Sequence, residues 1–132
     1  MDESPSRIPV RIVLPGVGEA PGEFIRFSAP LTFSVLMTKM PLEGRLHSQP
    51  GGYSFIVGIR RGAEKAVKTV KAGDIAYWPM QDAVVIYTSD TRPYSPVNTF
   101  GKVTENLELF SGLRSGAKIR IERASPPSGR RP

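Results

Sequence analysis

No cysteine occurs among the 132 residues. That excludes a disulfide framework, a thiolate metal site and a cysteine nucleophile, and it leaves the hydrophobic core to hold the fold alone. Histidine and tryptophan occur once each, as His47 and Trp78. One histidine without thiols, and without carboxylates at ligand spacing around it, does not make a zinc site, so no metal and no cofactor is expected. Long apolar runs are missing as well, so no segment predicts a membrane-spanning helix. Asp2 and Glu3 stand where a signal peptide carries basic residues, and the expected location is cytoplasmic.

Basic residues are in excess. The formal net charge is +6 and the pI about 10.0, which raises the question of nucleic acid. The cations are spread among acids, and no nucleic-acid-binding motif accompanies them, so the reading is a solvated basic surface. The length fits one domain with a core of its own. Composition predicts a frayed N-terminus at 1–7, a folded unit at 8–123 and a frayed, basic, proline-rich tail at 124–132.

Within the folded unit the pattern is mainly β. Val10 to Leu14 and Glu23 to Phe27 flank a Pro15-Gly16-Val17-Gly18 turn and predict a hairpin. Ser28 has the character of an N-cap, Pro30 fits the first helical turn, and Leu31, Phe33, Leu36, Met37 and Met40 follow helical spacing up to Pro41. Tyr53 to Ile59 reads as a strand, Gly62 as a turn, and Lys65 to Val70 as a weaker edge strand. Gly73 to Val103 is the richest block. Ile75 to Pro79 and Ala83 to Tyr87 are two strands about a Gln81-Asp82 turn, Asp90 to Pro96 is a loop, and Val97 to Val103 returns as a strand. Asn106 can cap a short helix over Leu107 to Phe110, and Ala117, Ile119 and Ile121 alternate with charged residues in a last strand. About eight strands with one long and one short helix point to a closed eight-stranded β-barrel.

Three segments carry a resemblance: Ala29-Pro30-Leu31-Thr32, Gly73-Asp74-Ile75-Ala76-Tyr77-Trp78-Pro79, and Ser95-Pro96-Val97-Asn98 with Gly101-Lys102-Val103. Together they resemble the cyclophilin-like superfamily, and most closely its minimal prokaryotic branch, over about Val10 to Arg123. The resemblance implies an eight-stranded closed barrel capped by two helices. In the isomerases of that superfamily an arginine near the proline amide and an aromatic-lined pocket ease rotation about an X-Pro bond. The strand from Tyr53 to Ile59, aligned with their Phe-His-Arg stretch, has no arginine before Arg60, and Val85 is aliphatic where they carry a pocket phenylalanine. Gln49-Pro50-Gly51-Gly52 also departs from a Trp-Gly-x-Glu pattern of the close relatives. No catalytic residue is therefore assigned, and fold alone does not transfer activity.

The expected site is a groove beside Trp78, lined by Phe55, Trp78, Pro79, Val85, Arg92 and Tyr94, which takes a small ligand or an extended peptide. Strand alternation places one of Tyr77 and Trp78 inside, so Trp78 is either a groove residue or a core plug. Arg92, in the loop Thr91-Arg92-Pro93-Tyr94, is either a groove cation or a surface arginine. The alternative function is a peptidyl-prolyl isomerase with Arg92 as a relocated cation. His47 reads as an exposed loop residue, Asp74 as a turn residue capping backbone amides, and Gly16-Val17-Gly18 lacks the remainder of a phosphate loop. Oligomeric state is not legible.

Overall fold

The structure, a computed structural model, describes residues 6–124. The segments 1–5 and 125–132 lie outside the described residues, and with them most of the two expected frayed ends. The strands are β1 (Arg7–Leu14), β2 (Gly18–Ile25), β3 (Leu42–Arg45), β4 (His47–Gln49), β5 (Gly52–Ile56), β6 (Asp74–Trp78), β7 (Ala83–Tyr87), β8 (Asn98–Val103) and β9 (Lys118–Arg123). One α-helix, α1 (Pro30–Thr38), and two 3-10 segments, Arg26–Ser28 and Leu107–Phe110, complete the described elements.

The nine strands form one antiparallel sheet in the order β3-β9-β1-β2-β8-β6-β7-β5-β4. Its two edges, β3 and β4, are consecutive in the chain with only Leu46 between them. β3 pairs with β9 through Leu42↔Ile121 to Arg45↔Lys118, and β4 pairs with β5 through His47↔Ser54 to Gln49↔Gly52. One bent strand thus changes partner at Leu46 and joins the edges of the sheet. Counted that way, the barrel has the eight strands that the sequence predicts. Leu46 is fully buried, and its backbone still pairs toward β9: its N–H donates to Ala117 O at 2.8 Å and its carbonyl accepts from Gly116 N at 2.6 Å. Closure removes the exposed ladder that an open sheet would present.

Side-chain alternation then sorts residues between two clusters. Ile75, Tyr77, Val84, Ile86 and Phe55 face inward and join Val10, Ile12 and Leu14 of β1 in the interior. Ala76, Val85 and Tyr87 face outward and pack with Val70 and Val97 into a second cluster, against which Trp78 and Val67 rest. β7 is buried on both faces, so its run from Ala83 to Tyr87 is uninterrupted in the sequence. A bulge between Ile75 and Ala76 against β8 helps the sheet curl around Phe100, which meets Phe24 edge to face at 4.9 Å between ring centres.

Two elements differ from expectation. The weaker strand over Lys65 to Val70 is an irregular loop with only two bridges to its neighbours, Val67↔Val97 and Val70↔Thr91. Arg60 (φ 53°), Lys65 (φ 50°) and Gly58 (φ 71°) take left-handed backbone there, which interrupts any extended run. The short β3 and β4, on the other hand, occupy the segment around His47 that reads as a loop, because four- and three-residue strands carry too little alternation to register. His47 is exposed within β4.

The seam is tight at Gly44. A Cβ there would sit 2.8 Å from Cδ2 of Phe55, the ring that β5 projects inward across the gap. Gly44→Ala should cost about 1–3 kcal/mol through overpacking, and Phe55→Ala about 3–5 kcal/mol through the cavity it leaves. In urea unfolding the double variant should cost less than the sum of the two. Strict additivity would show that the two residues do not meet.

Candidate functional site

The outer face of β6 and β7 is roofed by two loops, 57–73 and 88–97, and polar side chains hold those loops down. Glu64 is the principal anchor of the first. Its carboxylate accepts hydrogen bonds from Leu31 N, Thr32 N and Thr32 Oγ1, each at 2.8 Å, and so caps α1 from 33 residues away. The cap expected of Ser28 is not made, because Ser28 belongs to the 3-10 turn and Ala29 occupies the N-cap without a side-chain bond. Asn98, fully buried on β8, accepts from Glu64 N at 2.8 Å and donates to Gly62 O at 2.9 Å and Thr32 Oγ1 at 3.3 Å. Burial alone would raise the Glu64 carboxyl, but the three bonds from Leu31 and Thr32 outweigh it, and the group lies below its ordinary 4.5.

Asp82, in the β6–β7 turn with φ 55°, is the second anchor. Its Oδ1 accepts from Ile59 N and Arg60 N at 2.9 Å and from the Tyr77 hydroxyl at 2.6 Å. Burial works against its charge, and these bonds again prevail, holding it below 3.8. Tyr77 is pushed up to about 12, first by burial and then by its bond to Asp82. Asp74 accepts from Lys71 N at 2.9 Å as a turn residue should, and Asp90 accepts from Ala72 N at 2.9 Å.

Under the second loop lies a cavity of about 80 Å³, lined by Gln49, Pro50, Trp78, Tyr87, Thr91, Arg92, Pro93 and Tyr94. The β4–β5 turn supplies one wall and comes very close to the loop. A Cβ at Gly51 (φ +83°) would collide with the side chain of Thr91, so the turn needs glycine both for its backbone and for the approach. Strands β6 and β7 supply the floor through Trp78 and Tyr87, and the loop supplies the roof. Trp78 is half-buried, with its indole N–H donating to Ser95 Oγ at 2.7 Å, which fixes the ring against the loop. Tyr94 is 86% exposed at the rim.

Of the expected groove residues, the structure brings Trp78, Arg92 and Tyr94 together on this cavity. It does not bring Phe55, whose ring is fully buried inside the barrel opposite Val84. Val85 lies outside but is fully buried, packed in the cluster with Trp78 and Tyr87 beneath the cavity and not on its wall. Pro79 is half-buried in the turn, its carbonyl accepting from Asp82 N at 3.2 Å, and is not on the wall either. Between Tyr77 and Trp78 the alternation is resolved: Tyr77 is inside and Trp78 out. Tyr87 was within reach of sequence reasoning, because it shares the outer face with Val85 two residues before it. Pro50, on a turn whose flanking strands escape recognition, was not.

A larger hollow of about 440 Å³ lies on the outer face of β3 and β9, lined by Pro15, Glu43, Gly44, Arg45, Lys118, Ile119 and Arg120. Volume does not make it the better site. It has no aromatic wall, and Glu43 and Arg120 already neutralise each other across it. Among the described residues no group of three histidine or acidic side chains is placed to hold a metal ion, and no helix is long and apolar enough to cross a membrane.

Comparison with protein families matches residues 9–122 to the one described as cyclophilin-like. Among solved structures, a hypothetical protein of Archaeoglobus fulgidus, determined in solution, superposes with TM-score 0.76 at 23% identity over 94% of this chain and 100% of its own. McbB, solved in complex with tryptophan, superposes with TM-score 0.72 at 13% identity over 92% of this chain. The chain spans 46% of McbB's length. A comparison with curated proteins finds no match. At these identities the two structures show a shared fold.

Two checks follow from the anchors. Because the folded-state carboxyls of Glu64 and Asp82 lie below their ordinary values, their contribution is full above about pH 4.5 and is lost as pH falls through the lowered values. Glu64→Gln should destabilise by about 1–2 kcal/mol at neutral pH and should flatten the acid limb of stability against pH. An unchanged acid limb would remove Glu64 from the anchor. In an alkaline absorbance titration Tyr77 and Tyr87, both pushed up to about 12 by burial first, should ionise only as that pH is approached. Ionisation of all four tyrosines near pH 10 would contradict the burial of both.

Proposed function

The chain belongs to the cyclophilin-like family, and from that premise we propose that it is a binding barrel whose site is the Trp78 cavity, taking one ring of a small ligand or of an extended peptide. The observation that carries this reading is the convergence of Trp78, Tyr87, Tyr94, Pro50 and Pro93 on a single small cavity with Arg92 at its wall. Aromatic faces and proline rings offer flat apolar surface, and a few placed polar groups orient what they hold. Size sets the ligand. About 80 Å³ is far below the roughly 300–1,000 Å³ of a site for a drug-sized molecule, so one ring enters and the rest of the ligand stays outside. The wall is also built in advance. Ser95 fixes the indole, and the β4–β5 turn and the loop are joined by Thr88 N donating to Gly51 O at 2.8 Å.

A second reading, prolyl isomerisation, is favoured by one observation: Arg92 stands beside the apolar walls that would receive a proline ring. The chemistry asks only for a cation near the proline nitrogen as amide resonance is lost.

Binding is tested by thermal shift and calorimetry with neutral ring-bearing probes, namely phenylpropionamide, capped proline peptides and N-acetyltryptophanamide, the last related to the molecule held by McbB. A ring probe should raise the midpoint of unfolding, and Trp78→Ala should weaken it about threefold to tenfold, the worth of a stacked aromatic pair. Equal affinity in wild type and Trp78→Ala would place binding elsewhere. A protease-coupled assay on an X-Pro peptide decides between the readings. A rate above the uncatalysed exchange that falls in Arg92→Ala supports isomerisation, and a rate no faster than uncatalysed removes it.

A further inference from the structure

We infer that the ring-bearing ligand of the Trp78 cavity is an acid, its carboxylate held by Arg92 and Lys68 while its ring lies against Trp78. The inference rests on the binding reading above and adds the charge of the ligand to it.

Arg92 sits where three hollows meet. It lines the ring cavity; it lines a hollow of about 250 Å³ with Lys68, Pro93, Tyr94, Ser95 and Pro96; and it lines one of about 350 Å³ with Thr69, Val70, Lys71, Asp90 and Thr91. The ring cavity and the second hollow share Arg92, Pro93 and Tyr94, so a ligand with its ring in the first can extend past Arg92 into the second. The walls of those two hold no carboxylate at all. Asp90, on the third, has one carboxylate oxygen engaged by Ala72 N.

The distribution of ion pairs points the same way. Among the described residues, the arginines paired with carboxylates lie on β1 and β9: Arg7 with Glu23 at 2.7 Å, Arg11 with Glu19 and Glu122, and Arg120 with Glu43 and Glu122. The loop over the other face carries Arg60, Arg61, Lys65, Lys68 and Lys71 with Glu64 as its single acid, and Glu64 is turned to the α1 backbone. Among the described residues, neither Arg92 nor Lys68 has a carboxylate partner. Of the loop cations, Lys68 and Lys71 join Arg92 on the walls of the second and third hollows, where they raise the local concentration of anions. An arginine beside a lysine, both above an apolar slot, suits a planar carboxylate through paired N–H donors and added charge.

A carboxylate separated from a ring by two carbons is found both in free aromatic acids and in an aromatic C-terminal residue of a peptide. The probes separate these sources: phenylpropionate against phenylpropionamide, and Gly-Gly-Phe with a free against an amidated C-terminus, all read through the emission of the single tryptophan. Each acid should bind about tenfold more tightly than its amide at low salt. Arg92→Gln should abolish that preference, Arg92→Lys should keep part of it, and Arg120→Gln, on the opposite face, should leave it intact. A peptide acid that outbinds the free acid identifies a chain terminus as the source, and the reverse identifies a small molecule. If amides bind as well as acids and Arg92→Gln changes nothing, the acid inference is overturned while the ring cavity stands. If no probe, acid or amide, alters the emission or the midpoint of unfolding, both fall together.

Discussion

The change of partner at Leu46 is the constraint on which the rest of the molecule depends. A single bent strand pairs with β9 on one side of that residue and with β5 on the other, so the sheet has an inside and an outside. Period-two alternation then leaves no freedom. Once Ile75 and Tyr77 are committed to the interior, Ala76 and Trp78 must face out, and across the ladder Val85 and Tyr87 face out with them. A one-residue slip of β6 would exchange the two sets and turn the tryptophan inward. The groove is thus a consequence of closure.

An outward apolar face on a closed barrel needs a cover, and here the cover is irregular chain. Loop 57–73 buries Val70 and half-buries Val67 against the outer cluster, but it makes only two bridges, and its left-handed residues prevent it from joining the sheet. Carboxylates and one buried amide replace the missing ladder: Glu64 on the α1 backbone, Asp82 on the backbone at Ile59 and Arg60, and Asn98 beneath. The basic side chains of the loop stay exposed, Lys65 Nζ donating to Phe27 O at 3.1 Å. Scaffold strands with function-bearing loops are a common division of labour. Charge is divided in this chain too: among the described residues the arginine–carboxylate pairs lie on β1 and β9, and none lies over β6 and β7.

Much of this was legible in the residues, and the exceptions have physical causes. Ile119 and Ile121 alternate cleanly with charged neighbours, and β9 follows. The apolar run at β7 announces a strand covered on both faces, and the turn at Gln81-Asp82 sits where it was read. Phe55 misled because both faces of its strand are partly apolar: Tyr53 and Phe55 alternate with Ser54 and Ile56, so composition could not say which side is inside. Lys65 to Val70 has the composition of an edge strand, and only the backbone at Arg60 and Lys65 rules it out. Ser28 carries the local signature of a cap for α1, whereas the partner is a glutamate brought in by tertiary folding, which no local pattern announces. Trp78, Arg92 and Tyr94, which stand out by their strand-end and loop positions, line one cavity. Pro50 and Tyr87 complete the cavity through contacts that depend on the closed barrel.

The most direct test of the account is a nitrogen-15 correlation spectrum of the labelled protein titrated with phenylpropionate. Only one indole N–H is present, that of Trp78, and it is hydrogen-bonded to Ser95, so its resonance reports the cavity without ambiguity. That resonance and the amides of Thr91, Arg92, Tyr94 and Ser95 should move together in a saturable manner while those of β1 and β9 stay in place. Saturable shifts confined to the hollow between Pro15 and Arg120, with the indole resonance unmoved, would contradict it.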